Sequence, residues 1–285
     1  TPQHTLSRIA GVLADCKVGW FKNFFITKFI GTYGVNMAEA LDSTPENYPC
    51  FNDFFCRALK PEARPICTDA DALTGPVDGA VSQRGKINAG RIFQAKGRDY
   101  SAQELLGGDE NIAQAFTNGE FTTIYLSPKD YHRLHMPMAG KLVSMSHVPG
   151  DLFSVNPATT DNVPRLFARN ERLVCVFDTE IGPMALVLVG AMIVASIETT
   201  WAGLVAPAGK RVSTHNYGGP APTFEKGEEF ARFKLGSTIV MLFPENSIAW
   251  SETFQANSKV FMGERIAQVN NTTTENNNSS ASSEH

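Results

Sequence analysis

At 285 residues, 42% hydrophobic and 19% charged, the chain has the balance of a globular protein able to bury a large core, which excludes a disordered or fibrous one. Its formal net charge of −4 argues against nucleic acid as a partner, since that needs a basic face. Lys and Arg interrupt every apolar stretch before the ~18–20 residues that span a bilayer.

Taken in order, residues 5–40 read as helix, with Leu6, Ile9, Val12 and Leu13 at helical spacing and Trp20, Phe21, Phe24, Phe25, Ile26, Phe29 and Ile30 crowded together. Arg8, Lys17, Lys22 and Lys28 are interleaved, so the segment suits an amphipathic surface lying on an anionic membrane; a helix pair packed on the core is the competing reading. Phe51 to Pro65 predicts a short helix or loop in which Arg57 and Arg64 could meet phosphate or simply pack beside aromatics. After Ala72 short strands alternate with Gly, Pro and Asp. Ser101 with Glu104 three residues on is a capping box, and Ile112 to Phe116 reads as another short helix. Strands are expected at Phe121–Leu126, Lys141–His147, Leu173–Asp178 and Met184–Ser196, the last at the centre of the core, and residues 213–222 as a Gly- and Pro-rich loop. Phe233 to Phe243 reads as one buried strand ended by Pro244, and the tail from Asn270 as disordered. The fold class is therefore α+β: N-terminal helices, residues 1–70, followed by a mainly antiparallel or mixed, barrel-sandwich-like β core over 71–269.

Five cysteines, Cys16, Cys50, Cys56, Cys67 and Cys175, are irregularly spaced without a CxxC pair, which points to a reducing compartment. No secretory signal opens the sequence, so a cytoplasmic location is expected. His132 and His135 lie between Pro128 and Pro137, where a long helix cannot hold them for a metal; structural hydrogen bonding and acid–base chemistry both stay open. Asp78 before Gly79 reads first as a turn aspartate. Gly236-Ser237 reads first as a bulge or bend, although an activated serine could attack the carbonyl before it.

Several stretches together change that balance. Leu235-Gly236-Ser237-Thr238 resembles the LGST self-cleavage motif of bacterial phosphatidylserine decarboxylases. Phe51-Asn52-Asp53-Phe54-Phe55-Cys56-Arg57, Pro76-Val77-Asp78-Gly79, Tyr131-His132-Arg133-Leu134-His135-Met136-Pro137 and Gly150-Asp151-Leu152-Phe153-Ser154-Val155-Asn156 are similar to that family in the same order. The resemblance implies that Asp78, His135 and Ser237 form a protease-like triad, that the chain cleaves itself between Gly236 and Ser237 into a β chain, 1–236, and an α chain, 237–285, and that Ser237 becomes a covalent pyruvoyl cofactor. This group would take the amine of phosphatidylserine as a Schiff base and draw off the electrons left as carbon dioxide departs. His132 would supply the proton, and Ser154 would contact the serine headgroup. The implied enzyme is a zymogen of phospholipid biosynthesis, peripheral on the cytoplasmic face of the inner membrane. Its two chains would form a heterodimer, with a dimer of such pairs left open, and no metal would be needed.

Three other readings stand beside it: a pyruvoyl decarboxylase of a soluble amino acid, a serine hydrolase, and a non-catalytic lipid-binding module. The hydrolase lacks the G-x-S-x-G elbow. The basic aromatic N-terminus favours a lipid over a soluble amino acid.

Overall fold

The computed structural model describes residues 10–191, 196–206, 209–234 and 237–270, with the backbone only of Ser237. The described strands are β1 (Ala72–Thr74), β2 (Gly79–Lys86), β3 (Arg91–Ala95), β4 (Arg98–Ser101), β5 (Glu120–Leu126), β6 (Arg133–His135), β7 (Gly140–Val148), β8 (Arg172–Thr179) and β9 (Gly182–Val189). They continue with β10 (Ser196–Thr199), β11 (Gly203–Ala206), β12 (Ser213–Asn216), β13 (Thr223–Phe224), β14 (Glu229–Lys234), β15 (Ser237–Phe243), β16 (Ile248–Trp250), β17 (Lys259–Val260) and β18 (Arg265–Val269). Every ladder between them is antiparallel. With the helices gathered mainly at the N-terminus and on one face, the fold is α+β with open, stacked sheets.

The large sheet runs β12-β7-β8-β9-β15-β5-β2-β17, with β13 also on β7. Its middle strands read as unbroken apolar runs because both of their faces are covered. On β15, Ile239, Met241 and Phe243 enter one core and Val240 and Leu242 another. On β9, Met184, Leu186 and Leu188 join the first core while Ala185, Val187 and Val189 join the second. The first core is closed by two smaller sheets, β11-β10-β14-β6 and β1-β18-β16, through residues such as Phe230, Phe233, Leu134, Leu73 and Ile266. The second is closed by the β3–β4 hairpin and short helices, through Ile92, Tyr100, Leu105, Phe116 and Phe167.

The run expected as one strand from Phe233 to Phe243 is two. β14 ends at Lys234 in the four-stranded sheet, and β15 starts at Ser237 in the middle of the large one, so the chain changes layer across residues 235–236. Two further expectations are corrected. β9 stops at Val189 rather than running to Ser196, which belongs to β10 in another sheet. Ser213–Asn216, expected within a loop, pairs with Ser144 to His147 as the exposed edge strand β12. The capping box is present: Glu104 N–H donates to Ser101 Oγ at 3.0 Å, and Ser101 N–H to Glu104 Oε2 at 3.2 Å.

At the N-terminus, residues 10–14 are helical and a second helix spans Gly19–Tyr33, ending where Gly34 takes a left-handed φ of 66°. Its inner side packs on Phe51, Phe54 and Phe55 through Ile26 and Phe29. Lys22, expected among the lipid-facing cations, instead turns inward and donates to the Glu46 carbonyl at 2.9 Å. Residues 5–9, Gly236 and the tail 271–285 lie outside the described residues.

Candidate active site

The start of β15 lies at one end of the large sheet, level with the ends of its neighbours. Ser237 is in register with Leu126 of β5, and Thr238 with Val189 of β9. Val189 is opposite Arg172, which is opposite Val148. The loop after Val148 folds over this end. Glu171 N–H donates to the Asp151 carbonyl at 2.8 Å, and Asn170 Nδ2 donates to the carbonyls of Phe153 at 2.9 Å and Gly190 at 2.8 Å. Gly150 permits the fold, because a Cβ there would stand 2.2 Å from the Arg169 carbonyl oxygen. The loop is thus clasped to the residue following β9, and Ser154 within it is partly buried, its Oγ accepting from Asn156 N–H at 3.4 Å.

His135 ends β6, in register with Glu229 of β14, the strand that leads into residues 235–236. Its Nδ1 is 2.8 Å from the Gly227 carbonyl, which can only accept, so Nδ1 carries the hydrogen. Nε2 is therefore the basic nitrogen and receives the Tyr131 hydroxyl at 2.9 Å. Burial lowers the His135 pKa, while the Gly227 bond and the Glu229 and Asp78 charges pull the other way. Burial also raises the pKa of Tyr131, which keeps its hydroxyl a donor. The result is a neutral imidazole with a defined tautomer.

Asp78 precedes β2 and is held from two sides. Arg64 grips it through Nε at 2.9 Å and Nη2 at 2.6 Å, and Met262 N–H donates to Oδ1 at 2.9 Å. Among the described residues no hydrogen bond joins Asp78 to His135; the Gly227 carbonyl takes that place on Nδ1. Arg64, read from sequence as a candidate for phosphate, also donates to Glu39 Oε2 at 2.9 Å, so its fork is spent on two carboxylates.

His132 is wholly buried, its ring 4.0 Å from that of Phe55 between centroids. Nδ1 donates to the Asp130 carbonyl at 2.8 Å, leaving Nε2 a buried lone pair with no partner among the described residues. Burial pushes its pKa down to about 3. Its own carbonyl accepts from Phe233 N–H at 3.0 Å, which ties it to β14 a few residues before Ser237. Such an orphaned nitrogen costs stability unless something binds it.

A cavity of about 480 Å³ reaches this site at Asp78 and at Tyr131, the partner of His135, and is also walled by Tyr125, Ser127, Arg57 and Arg64, while neither histidine lines it. Sequence reasoning missed Tyr131 and Gly227. Tyr131 stands beside the histidine motif and could have been suspected, but nothing local marks Gly227, which reaches His135 only through the fold. No group of three or more His, Cys, Asp or Glu among the described residues could hold a metal.

A family model described as phosphatidylserine decarboxylase matches residues 51–268, and a second, described as PSD, matches residues 1–34. The chain is 57% identical over 269 residues to the phosphatidylserine decarboxylase proenzyme of Saccharophagus degradans, covering 94% of each chain. It is 58% identical over 272 residues to the proenzyme of that name from Hahella chejuensis, covering 95% of this chain and 92% of the relative. With that of Pseudomonas putida the identity is 59% over 269 residues, covering 93% and 94%. On these matches, the chain belongs to the phosphatidylserine decarboxylase family.

Proposed function

We propose that this chain decarboxylates phosphatidylserine to phosphatidylethanolamine, using a pyruvoyl group made from its own Ser237 by cleavage after Gly236. The observation that carries the reading is the 57% identity, across 94% of both chains, to a phosphatidylserine decarboxylase proenzyme.

In self-processing, His135 Nε2 takes the proton of the Ser237 hydroxyl as that oxygen adds to the Gly236 carbonyl, and the amide becomes an ester. Elimination frees the Gly236 carboxylate, and hydration with loss of ammonia leaves the pyruvoyl group at position 237. Gly227 orients the imidazole, and the Asp78 charge favours its protonated form, as the direction of its influence on His135 supports. Ser237 heads the central strand of the large sheet directly after the change of layer, which suits a bond to be broken without unravelling the sheet.

The residues present fit such a group, since a neutral His135 at the end of β6 and the unpartnered Nε2 of His132, just before β6, lie along the strand that pairs with β14. When present, the pyruvoyl carbonyl supplies the electron sink for the breaking carbon–carbon bond. His132 is neutral in this fold, so its Nε2 must first receive a proton before it can pass one to the carbon that has lost carbon dioxide. Ser154, on the clasped loop, contacts the serine headgroup.

The two product chains form one heterodimeric body, because β15 pairs with β5 and β9, β17 with β2, and β18 with β1. The protein works as a peripheral enzyme on the cytoplasmic face of the inner membrane, resting on the N-terminal helices, where Trp20 is 76% and Phe24 63% exposed. None of the described helices is long and apolar enough to cross a membrane.

Intact mass under denaturing conditions tests the reading. Two chains are expected, the smaller beginning at position 237 and lighter than a serine-started chain by one ammonia. A single chain that never cleaves on incubation would remove the electron sink and return the hydrolase and lipid-binding alternatives.

A further inference from the structure

Among the described residues, Arg57 is a buried cation with no carboxylate in salt-bridge contact. It follows the helix Phe51–Phe55 and is only 4% exposed, its guanidinium lying 5.6 Å from the centroid of the Phe54 ring. Nη2 donates to the Lys129 carbonyl at 2.9 Å, but among the described residues Nε and Nη1 are buried without a hydrogen-bond partner. The carboxylates on the same cavity wall are already engaged: Arg64 holds Asp78 and Glu39, and Ser127 donates to Asp130 through Oγ at 2.7 Å and N–H at 2.7 Å. A buried guanidinium with two idle nitrogens is costly by itself and becomes favourable when an oxyanion enters.

From this geometry we infer that Arg57 is the anchor for the phosphodiester of the lipid headgroup, an assignment that rests on the lipid-substrate reading above. Three observations favour the phosphodiester over the substrate carboxylate. The cavity also touches Gly34 and Asn36, directly after the helix whose aromatic side chains are exposed, so a headgroup whose acyl chains stay in the bilayer enters from that side. Exposed Lys129 and Lys259 stand on the cavity wall, a further attraction for a phosphate passing inward. Finally, a guanidinium on the departing carboxylate would stabilise charge that the transition state disperses and so slow the reaction, whereas a phosphate keeps its charge throughout. Arg57 thus fixes the headgroup at a point remote from the bond that breaks, which makes it a substrate-binding residue.

The test uses the full chain carrying Ser237→Ala, which cannot make a pyruvoyl group, so headgroup binding is read without any turnover. Calorimetric titration compares glycerophosphoethanolamine, which has the diester and the amine but no carboxylate, with ethanolamine and with inorganic phosphate. Binding of glycerophosphoethanolamine is expected, and adding Arg57→Gln should weaken it by at least about tenfold while leaving ethanolamine unaffected. Arg57→Lys retains the charge in the same site, should fold if the glutamine variant does not, and should give an intermediate loss because it has no fork. Undiminished binding in either variant with an unchanged melting temperature, tighter binding of inorganic phosphate than of the diester, or no binding of the diester at ~10 mM would each overturn the assignment. If the parent chain with Ser237 intact cleaves normally while the Ser237→Ala chain fails this titration, the Arg57 site alone is refuted; if the Ser237→Ala chain binds the diester but the parent chain never cleaves, the pyruvoyl reading alone is refuted.

Discussion

His132 and His135 offer the same imidazole three positions apart, yet their surroundings separate their tasks. Both are locked by a backbone carbonyl on Nδ1, but Nε2 of His135 meets a hydroxyl and Nε2 of His132 has no hydrogen-bond partner among the described residues. His132→Ala is therefore expected to leave self-cleavage intact and abolish decarboxylation, read as two bands on a denaturing gel with no phosphatidylethanolamine formed; a full-length chain would show that the division of labour is wrong. For His135 to act as a base, the Tyr131 hydroxyl must let go of Nε2. Tyr131→Phe removes that competitor, so cleavage in a gel time course should proceed about two- to tenfold faster, the worth of one hydrogen bond of ~0.5–1.5 kcal/mol; arrested cleavage would make the hydroxyl a required positioning group. Burial also has a thermodynamic consequence. The folded pKa of His132, about 3, lies below the ~6.5 of an exposed histidine, so the unfolded chain binds the extra proton first. The contribution of His132 is thus complete above pH 6.5 and lost as pH falls toward 3, at a slope of about 1.4 kcal/mol per pH unit. Urea unfolding of the uncleaved Ser237→Ala chain should show this slope, and His132→Phe should flatten it.

Among the elements, the strands with two covered faces were the most legible from sequence, because Met184 to Val189 and Ile239 to Phe243 can be nothing but buried. The change of layer at residues 235–236 was not, since Phe233 and Phe243 are equally apolar and only the partner strands, far away in sequence, assign them to different sheets. The edge strand β12 was missed for the opposite reason: Ser213, Thr214, His215 and Asn216 are all exposed, and backbone pairing with β7 alone makes them a strand. The site was legible in its motifs but not in its wiring. Asp78, His132 and His135 could be singled out, while the Gly227 carbonyl and the Arg64 fork depend on loops brought together by tertiary structure. Gly79 shows how closely this wiring is built. A Cβ there would sit 2.5 Å from the Tyr125 carbonyl oxygen and 2.9 Å from Ile124 Cγ2, so Gly79→Ala must push β2 off β5 beside Asp78. A loss of ~1–3 kcal/mol by urea unfolding is expected, with slower self-cleavage; an unchanged rate would mean that the position of Asp78 is immaterial to processing.

For the whole molecule, the proposed membrane contact raises the question of what would hold a chain of net charge −4 to an anionic surface that repels it. The N-terminal helix keeps its inner side on Phe51 and Phe54, yet leaves Trp20 and Phe24 largely in solvent and Phe25 about half exposed at its edge. Lys22 is withdrawn into the fold, so Lys17 and Lys28 are the exposed lysines of this described stretch. Two lysines near an anionic leaflet are worth about 2 kcal/mol together, and that attraction is screened by salt. Burying one large aromatic side chain is worth about 1.5–3 kcal/mol, and salt does not remove it. Insertion of the aromatic face should therefore outweigh the lysines. In flotation with phosphatidylserine-containing vesicles, raising the salt is expected to weaken binding only modestly, whereas Trp20→Ala with Phe24→Ala should weaken it by more than tenfold. Both side chains are exposed in the free protein, so the double variant should melt at the same temperature as the parent and should still cleave itself. Binding that vanishes with salt but survives the double substitution would transfer the membrane contact to a basic surface elsewhere on the molecule.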